Sequence, residues 1–383
     1  MIKIFVQPVS DNNINKKKCE FILNFNKMEI INKESNSQKN LGVQTLRFLL
    51  CFWVIVDHCM NRKTKYSLKI FFELRLHVPC FILISFYFSF NNIYQRKINK
   101  IKQRLKRLLI PYYIFPITIL LMNNLSFKFF KSGIFDGILT LKDLFTQYII
   151  GYKFIIVFWF QFYLILTSLF FSILSFLSKE KLIELLFIIY IIAYSLRYTN
   201  INYNYFSKFT KSIKYSVGQF AEVMPLSVSG SVIAFFNIFK ILEKSRYKSI
   251  FYAIVVLCFI FKYDIFVHTK KFGFDGLVLE VGSIATFFLF YLLPLNNISS
   301  YLFNTILIIL TNYTQGIYCL HLILFHTFKN KINSIKNGKF SGIILLYIFS
   351  YIISFIGAKL HLTTISKLSI IYPSFFPSKI LIL

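Results

Sequence analysis

The sequence consists largely of apolar runs that are each long enough to cross a lipid bilayer, with Lys- and Asn-rich breaks between them. A membrane-spanning helix needs about 20 mostly apolar residues. Hydrophobic residues make up 56% of the 383 residues and charged residues only 15%, which leaves too little polar surface for a soluble globule. The sequence therefore predicts an all-α protein, a polytopic membrane helical bundle with about ten transmembrane helices.

The apolar runs define one membrane domain and two tails. Residues 1–40 are polar and lack a continuous apolar region of the signal-peptide type, so we expect a cytoplasmic tail there. We expect residues 41–362 to form the membrane domain and residues 363–383 a C-terminal tail. The predicted spans are 43–60, 70–92, 108–125, 155–177, 182–197, 217–239, 249–262, 277–295, 300–328 and 340–360.

The net charge of +29 is interpreted as a signal of topology. In a soluble protein such a charge would indicate a nucleic-acid partner, but here Lys and Arg lie mainly between apolar segments, so we expect none. Basic residues in short loops mark the cytoplasmic side and contact anionic lipid heads. The tract RKINKIKQRLKR at 96–107 is therefore expected to be cytoplasmic, and so is the amino terminus, two crossings earlier. The predicted external loops at 61–69 and 329–339 are also basic, which argues against this orientation.

The six cysteines include no C-x-x-C pair, and four of them lie inside apolar segments or at their ends. Buried cysteine commonly acts as a small hydrophobic residue. We expect neither a metal site nor a disulfide framework.

The first predicted span, LGVQTLRFLLCFWVIVDHC, contains three ionisable residues: Arg47, Asp57 and His58. Ionisable groups are costly in lipid and usually face a bundle interior or an aqueous cavity. Arg47 and His58 are eleven residues apart, which is three helical turns plus about 20°, so both point from one face, about 16 Å apart along the axis. They could line one cavity. Alternatively, Arg47 reaches to the interface and His58 caps the helix end.

An Arg and a His at this spacing in the first span resemble the signature of the acyltransferase-3 family. A second element agrees, because Arg104 and Arg107 in RLKR, followed by LLIPYY, resemble the family's Arg-x-x-Arg motif ahead of a proline, here Pro111. A spacing of three places both guanidiniums on one helical face, which suits the binding of phosphates. An ordinary cluster of cytoplasmic positive charge is the alternative.

Three weaker similarities extend the resemblance to about residue 360. The segment HVPCFILISFYFSF is similar to the family's second span, except that Phe86 stands where a glycine is expected, a replacement that would narrow the cavity. VFWFQFYLIL resembles the family's Trp-Phe segment. YTQGIYCLHLILF resembles a late Gly-Ile-Tyr-x-x-His segment, in which Tyr318 and His321 share a helical face and could belong to one hydrogen-bond network. A buried structural histidine is the alternative for His321.

The resemblance implies transfer of an acyl group, commonly acetyl, from acyl-CoA to a hydroxyl of a carbohydrate or lipid-linked glycan. Acyl-CoA (acetyl-CoA) is then the donor substrate, with no permanently bound cofactor, and membrane lipid and the glycan acceptor are the other partners. Arg104 and Arg107 would bind the donor's phosphates, and Arg47 the donor or the oxyanion. His58 would be the base or a transient acyl carrier, and Asp57, Tyr318 and His321 would support it.

Two other functions remain open. Some proteins that resemble this family are proposed to export polysaccharides or lipid-linked glycans, which requires a continuous polar path and no donor site. Membrane-bound O-acyltransferases instead place an essential histidine in a late apolar helix, as His321 is placed, but Arg47 and His58 in the first span argue against that class.

Overall fold

The structure is a computed structural model in which all the secondary structure of the described residues is helical. The residues that it describes are 40–59, 76–124, 141–150, 158–198, 211–242, 250–258, 276–293, 301–328, 332–336 and 339–371. The predicted cytoplasmic tail, apart from Asn40, and the predicted external loop at 61–69 lie outside them.

The helices follow the predicted apolar runs. They are α1 (Leu41–Cys59), α2 (His77–Tyr94), α3 (Ile98–Asn124), α4 (Leu141–Ile150), α5 (Phe158–Leu174), α6 (Lys179–Tyr198), α7 (Lys211–Phe235), α8 (Ile238–Leu242), α9 (Gly276–Leu292), α10 (Tyr301–Asn312), α11 (Thr314–Phe328), α12 (Asn333–Lys336) and α13 (Phe340–Ile371). Residues 250–258 are helical as well.

The segment predicted as one span over 300–328 consists of two helices, α10 and α11, divided at Tyr313. The carbonyl of Tyr313 accepts a hydrogen bond from the N–H of Ile317 at 2.9 Å and so begins α11. The hydroxyl of Thr314 donates to the carbonyl of Thr311 at 3.2 Å, which ties the start of α11 to the end of α10. The interruption places Thr314 at a helix start facing α1.

Two other helices differ in length from their predicted spans. The predicted third span begins at residue 108, but α3 begins at Ile98, so the basic tract continues as helix into the apolar segment. The last helix, α13, extends to Ile371, beyond the expected end of its span at residue 360.

The first helix, α1, lies at the centre of the bundle, where it packs against α2, α9, α10, α11 and α13. The most extensive helix pair is α2 with α7. Glycine permits their close approach, since a Cβ added at Gly230 would lie 2.5 Å from the backbone oxygen of Leu83. These contacts bring α1, α2, α3, α5 and α11 together around one cavity.

Most buried side chains are apolar, but hydroxyl side chains are buried with them, and large apolar side chains lie on the outer surface. Several hydroxyl side chains are fully buried, among them Thr167, Ser227 and Ser283, each 0% exposed. Large apolar side chains of α6 point outward, with Phe187 64% exposed and Ile192 52% exposed. An outer surface of this kind suits a lipid environment. Two helices, Leu41–His58 in α1 and Phe340–Gly357 in α13, are long and apolar enough to cross a membrane by length and composition.

Candidate active site

A cavity of about 550 Å³ opens between α1, α2, α3, α5 and α11. Its size lies within the range of about 300–1,000 Å³ that is typical of small-molecule sites. Four basic side chains and no acidic one line it within the part of the chain that the structure describes. The lining residues are Asn40, Gln44, Arg47, Phe81, Ile84, Ser85, Phe88, Ser89, Asn92, Ile93, Lys100, Ile101, Gln103, Arg104, Arg107, Leu108, Phe160, Gln161, Leu164, Thr314 and Tyr318.

Arg104 is held in the cavity wall by groups from two other helices. Its Nε donates to the hydroxyl of Ser168 on α5 at 3.0 Å, and one terminal nitrogen donates to the carbonyl of Ser85 on α2 at 3.2 Å. The guanidinium carbon also lies 5.0 Å from the ring centroid of Phe86, a cation–π distance. The other terminal nitrogen is buried and has no hydrogen-bond partner among the described residues. A fixed, charged donor is therefore left for an anionic ligand.

Phe86 has a different role from the one that the sequence led us to expect. We expected its ring to narrow the cavity, but Phe86 is fully buried and is not one of the lining residues. Its ring packs against Phe171 at 5.2 Å and supports the guanidinium of Arg104. The bulkier side chain thus fills space beside the cavity and helps to position one of its cations.

Arg47 is fixed at another part of the cavity wall. One terminal nitrogen donates to Gln44 Oε1 at 3.2 Å, one turn earlier on α1, and the other donates to the hydroxyl of Thr314 at 3.0 Å. Cys51, one turn later, lies with its Sγ 3.7 Å from the carbonyl of Thr314. The interruption before α11 therefore determines where the guanidinium of Arg47 is held.

The remaining two cations are more exposed. Arg107 and Lys100 line the cavity and are exposed, whereas Arg47 and Arg104 are partly buried. Lys102, in the same turn of α3 as Lys100, is exposed and does not line the cavity. The tract thus presents three of its basic residues, Lys100, Arg104 and Arg107, to the cavity.

Gln161 links three helices at the base of the cavity. Pro111 cannot donate a backbone hydrogen bond and so interrupts the hydrogen-bond ladder of α3. The nearby carbonyl of Leu108 accepts a hydrogen bond from Gln161 Nε2 on α5. Gln161 Oε1 in turn lies 3.6 Å from the Sγ of Cys319 on α11. The proline in LLIPYY therefore stands beside a polar contact that joins α3, α5 and α11.

Aromatic rings form the wall of the cavity toward α11. Tyr318 lies 5.5 Å from Phe160 and 6.4 Å from Phe81, measured between ring centroids, and all three residues line the cavity. On its other side, the ring of Tyr318 lies 5.9 Å from that of His321. Tyr318 therefore separates the basic cavity from the histidine behind it.

His58 and His321 form a pair behind this aromatic wall. Their ring centroids are 5.4 Å apart with an interplanar angle of 37°. His321 is 0% exposed, and its Nδ1 lies 2.7 Å from the carbonyl of Tyr318. Neither histidine is among the lining residues of the cavity.

The structure brings most of the predicted site residues together, in two groups. Arg47, Arg104, Arg107 and Tyr318 share the cavity. Arg47 contacts Thr314 and His58 lies beside His321, so both face α11; Arg47 lines this cavity, and His58 is not among its lining residues. Tyr318 lines the cavity, and its ring lies 5.9 Å from that of His321.

The carboxylates that could orient a histidine lie elsewhere. Asp57 is partly buried near the end of α1 and does not line the cavity. Glu280 on α9 is 2% exposed and accepts a hydrogen bond from the hydroxyl of Ser229 on α7 at 2.7 Å. Neither supplies the cavity with negative charge.

Sequence reasoning missed several polar residues of the site. Lys100 belongs to the basic tract and was not distinguished from its neighbours. Gln44 lies three residues before Arg47, a spacing that could have identified it as a partner. Gln161 lies within VFWFQFYLIL, where an isolated amide in an apolar run indicates an interior contact. Thr314 lies in the polar stretch TNYTQG at 311–316, which could have indicated a break in the apolar run.

A family model described as an acyltransferase domain, that of the acyltransferase-3 family, matches residues 40–359. The fold and this match define the chain as a helical membrane acyltransferase in general terms. The chain belongs to the acyltransferase-3 family, and the resemblance seen in its sequence is confirmed. Searches of curated proteins and of solved structures found no match.

Proposed function

We propose that this protein moves an acetyl group from acetyl-CoA to a hydroxyl of a carbohydrate or lipid-linked glycan. The observation that carries the proposal is the cavity lined by four basic side chains and no acidic one within the described residues of an acyltransferase domain. Such a cavity suits a ligand with several phosphates, and coenzyme A thioesters are acyl donors of that kind.

The donor would bind with its phosphates near the open end of the cavity. Arg107 and Lys100 are exposed there, and Arg104 has one buried terminal nitrogen that lacks a partner among the described residues. Guanidinium groups bind phosphate oxygens through paired hydrogen bonds, which favours Arg104 and Arg107 as the specific contacts. Apolar lining residues such as Ile84 and Leu164 would contact the uncharged arm of the donor.

The acyl end of the donor would point toward α11. Arg47 is held there by Thr314 and Gln44, so its guanidinium is fixed in the cavity wall beside the start of α11. In this position it would stabilise the negative charge that develops on the thioester oxygen during attack.

His58 would take the proton of the acceptor hydroxyl. The oxygen of that hydroxyl attacks the thioester carbon, and the carbon–sulfur bond breaks. His58 then gives the proton to the leaving thiolate, which departs as coenzyme A thiol. Because Tyr318 separates the cavity from His58, we propose that its ring moves aside when the thioester arrives. In the alternative mechanism, a ring nitrogen of His58 attacks the thioester carbon, coenzyme A leaves, and the acyl group then passes from His58 to the acceptor hydroxyl.

The open end of the cavity would face the cytoplasm, where acetyl-CoA is available. The basic tract that opens α3 supports this orientation, because clustered Lys and Arg are retained on the cytoplasmic side. The amino terminus, two crossings before this tract, would then lie on the same side.

The test is acetyl transfer by the purified protein in lipid nanodiscs. Radiolabelled acetyl-CoA is supplied together with the lipid-linked glycan fraction of the native membranes. We expect label in the glycan fraction and release of free coenzyme A in equal amount. Saturable glycan binding without acetyl-CoA binding or transfer would contradict the proposal and favour an exporter.

A further inference from the structure

We propose that His321 is a positioning residue for His58, and that its Nε2 accepts a hydrogen bond from His58 when His58 takes up the acceptor's proton. The inference rests on the proposed acyl transfer. It assigns to α11 a role in the chemistry as well as in the wall of the cavity.

The backbone of α11 fixes the tautomer of His321. Its Nδ1 lies 2.7 Å from the carbonyl of Tyr318 and 3.3 Å from the carbonyl of Ile317. A carbonyl oxygen only accepts hydrogen bonds, so the ring proton belongs on Nδ1 and the lone pair on Nε2. His321 therefore presents an acceptor in one fixed direction.

That acceptor has no partner in the part of the chain that the structure describes. His321 is 0% exposed, and its Nε2 is buried without a hydrogen bond. A buried polar atom without a partner is unfavourable in a low-dielectric interior, and its retention calls for an explanation. A hydrogen bond made only during the reaction provides one.

His58 is the group that can donate to it. The two ring centroids are 5.4 Å apart, and imidazole nitrogens that point at each other across such a separation lie about 3 Å apart, so rotation of the His58 ring into that orientation would let it donate to Nε2. Neutral His58 takes the proton of the hydroxyl on its unprotonated ring nitrogen. Once that proton has been transferred, both ring nitrogens carry hydrogen, and the one that faces His321 donates to Nε2. His58 then returns a proton to the leaving thiolate, while the protonation of His321 is unchanged.

Tyr318 connects this pair to the donor cavity. Its ring lines the cavity, and its carbonyl accepts the hydrogen bond that fixes His321. The residue that would move when the thioester arrives is thus also the residue that orients the acceptor for His58.

Two amide variants separate this role from simple packing. In His321→Asn the amide reaches the Nδ1 position and can keep the bond to Tyr318, but no acceptor remains at the Nε2 position. In His321→Gln the amide reaches the Nε2 position and its oxygen can accept. Wild type and both variants are assayed in nanodiscs for transfer from radiolabelled acetyl-CoA to the lipid-linked glycan fraction of the native membranes, and separately for acetyl-CoA binding.

We expect His321→Asn to lower kcat by about 10- to 100-fold, the size of effect that loss of a hydrogen-bond partner has on a metal-bound histidine, and His321→Gln to recover most of that loss. Binding of acetyl-CoA should change by less than about twofold in both, because His321 does not line the cavity. Equal kcat in all three proteins, or an equal loss in both variants, would overturn the inference and leave the proposed function standing. Absence of transfer in the wild-type protein would overturn the proposed function itself. If His321→Asn does not yield folded protein, His321→Leu is compared with His321→Gln by the same criteria.

Discussion

Individual side chains of this protein owe their roles to partners on other helices. Arg104 is one of seven basic residues in its tract, and its hydrogen bonds to Ser168 and Ser85 hold its guanidinium in the cavity wall. The sequence predicted that Arg104 and Arg107 share a helical face, because residues three apart on a helix are neighbours. It could not predict which of Lys100 and Lys102 lines the cavity, or that His58 is absent from its lining, because both depend on how other helices pack.

At the residue scale, His58→Ala is expected to reduce acetyl transfer by at least about a hundredfold, since a positioned acid–base group contributes about 10²–10⁴ in rate. The protein should remain inserted and at normal abundance. Acetyl-CoA binding should also be retained, because His58 does not line the cavity. The rate is measured in nanodiscs and the abundance by gel filtration of the solubilised protein. A rate near that of wild type would remove His58 from the mechanism and favour its interpretation as a helix-end cap.

At the scale of helices, the apolar runs predicted where most elements lie but not where one of them ends. The run at 300–328 contains no proline, but the polar stretch TNYTQG at 311–316 divides it, a signal that the prediction of a single span overlooked. The start of α3 at Ile98 was also missed, although Ile98, Ile101, Leu105 and Leu108 recur at helical spacing within the basic tract. Both boundaries shape the site, since one positions Thr314 and the other presents the basic tract.

A matched pair of glycines in α7 tests the packing of the helices. A Cβ at Gly230 would lie 2.5 Å from the oxygen of Leu83, whereas a Cβ at Gly218 would meet nothing within 4 Å. Gly230→Ala should therefore force α2 and α7 apart and destabilise the fold by about 1–3 kcal/mol. Gly218→Ala should be neutral or slightly stabilising, because alanine favours helix more than glycine does. The measurement is the thermal unfolding midpoint of each solubilised variant; equal midpoints would contradict the close approach of α2 and α7.

At the scale of the whole molecule, the protein combines an exposed apolar surface with a largely apolar interior that contains a basic cavity. Composition was enough to predict an all-helical membrane protein, because lipid requires every backbone group to be satisfied within a segment. The family was indicated by Arg47, His58, Arg104 and Arg107 and is confirmed by the match over residues 40–359. The cavity itself could not be predicted, since five helices from distant parts of the chain contribute to it.

The proposed orientation is tested by single cysteines in a Cys-free variant. The cysteines introduced by Asn15→Cys and Asn99→Cys should not react with a membrane-impermeant thiol reagent applied to intact cells, because both lie in segments expected on the cytoplasmic side. Ser67→Cys, in the predicted external loop, should react and serves as the positive control. Labelling from outside at positions 15 and 99 would invert the topology and place the open end of the cavity on the wrong side.

The central claim is that the basic cavity binds an acyl-CoA donor through particular guanidinium groups. The most direct measurement is equilibrium binding of tritiated acetyl-CoA to the purified protein in nanodiscs, for wild type and for Arg104→Ala, Arg107→Ala and Lys102→Ala. We expect saturable binding that weakens about 10- to 100-fold in the two arginine variants, since each lost phosphate contact costs about 1.5–3 kcal/mol. Lys102→Ala should bind like wild type, because Lys102 does not line the cavity. Equal weakening in all three variants would reduce the tract to a diffuse positive field, and no saturable binding to the wild-type protein would contradict the claim.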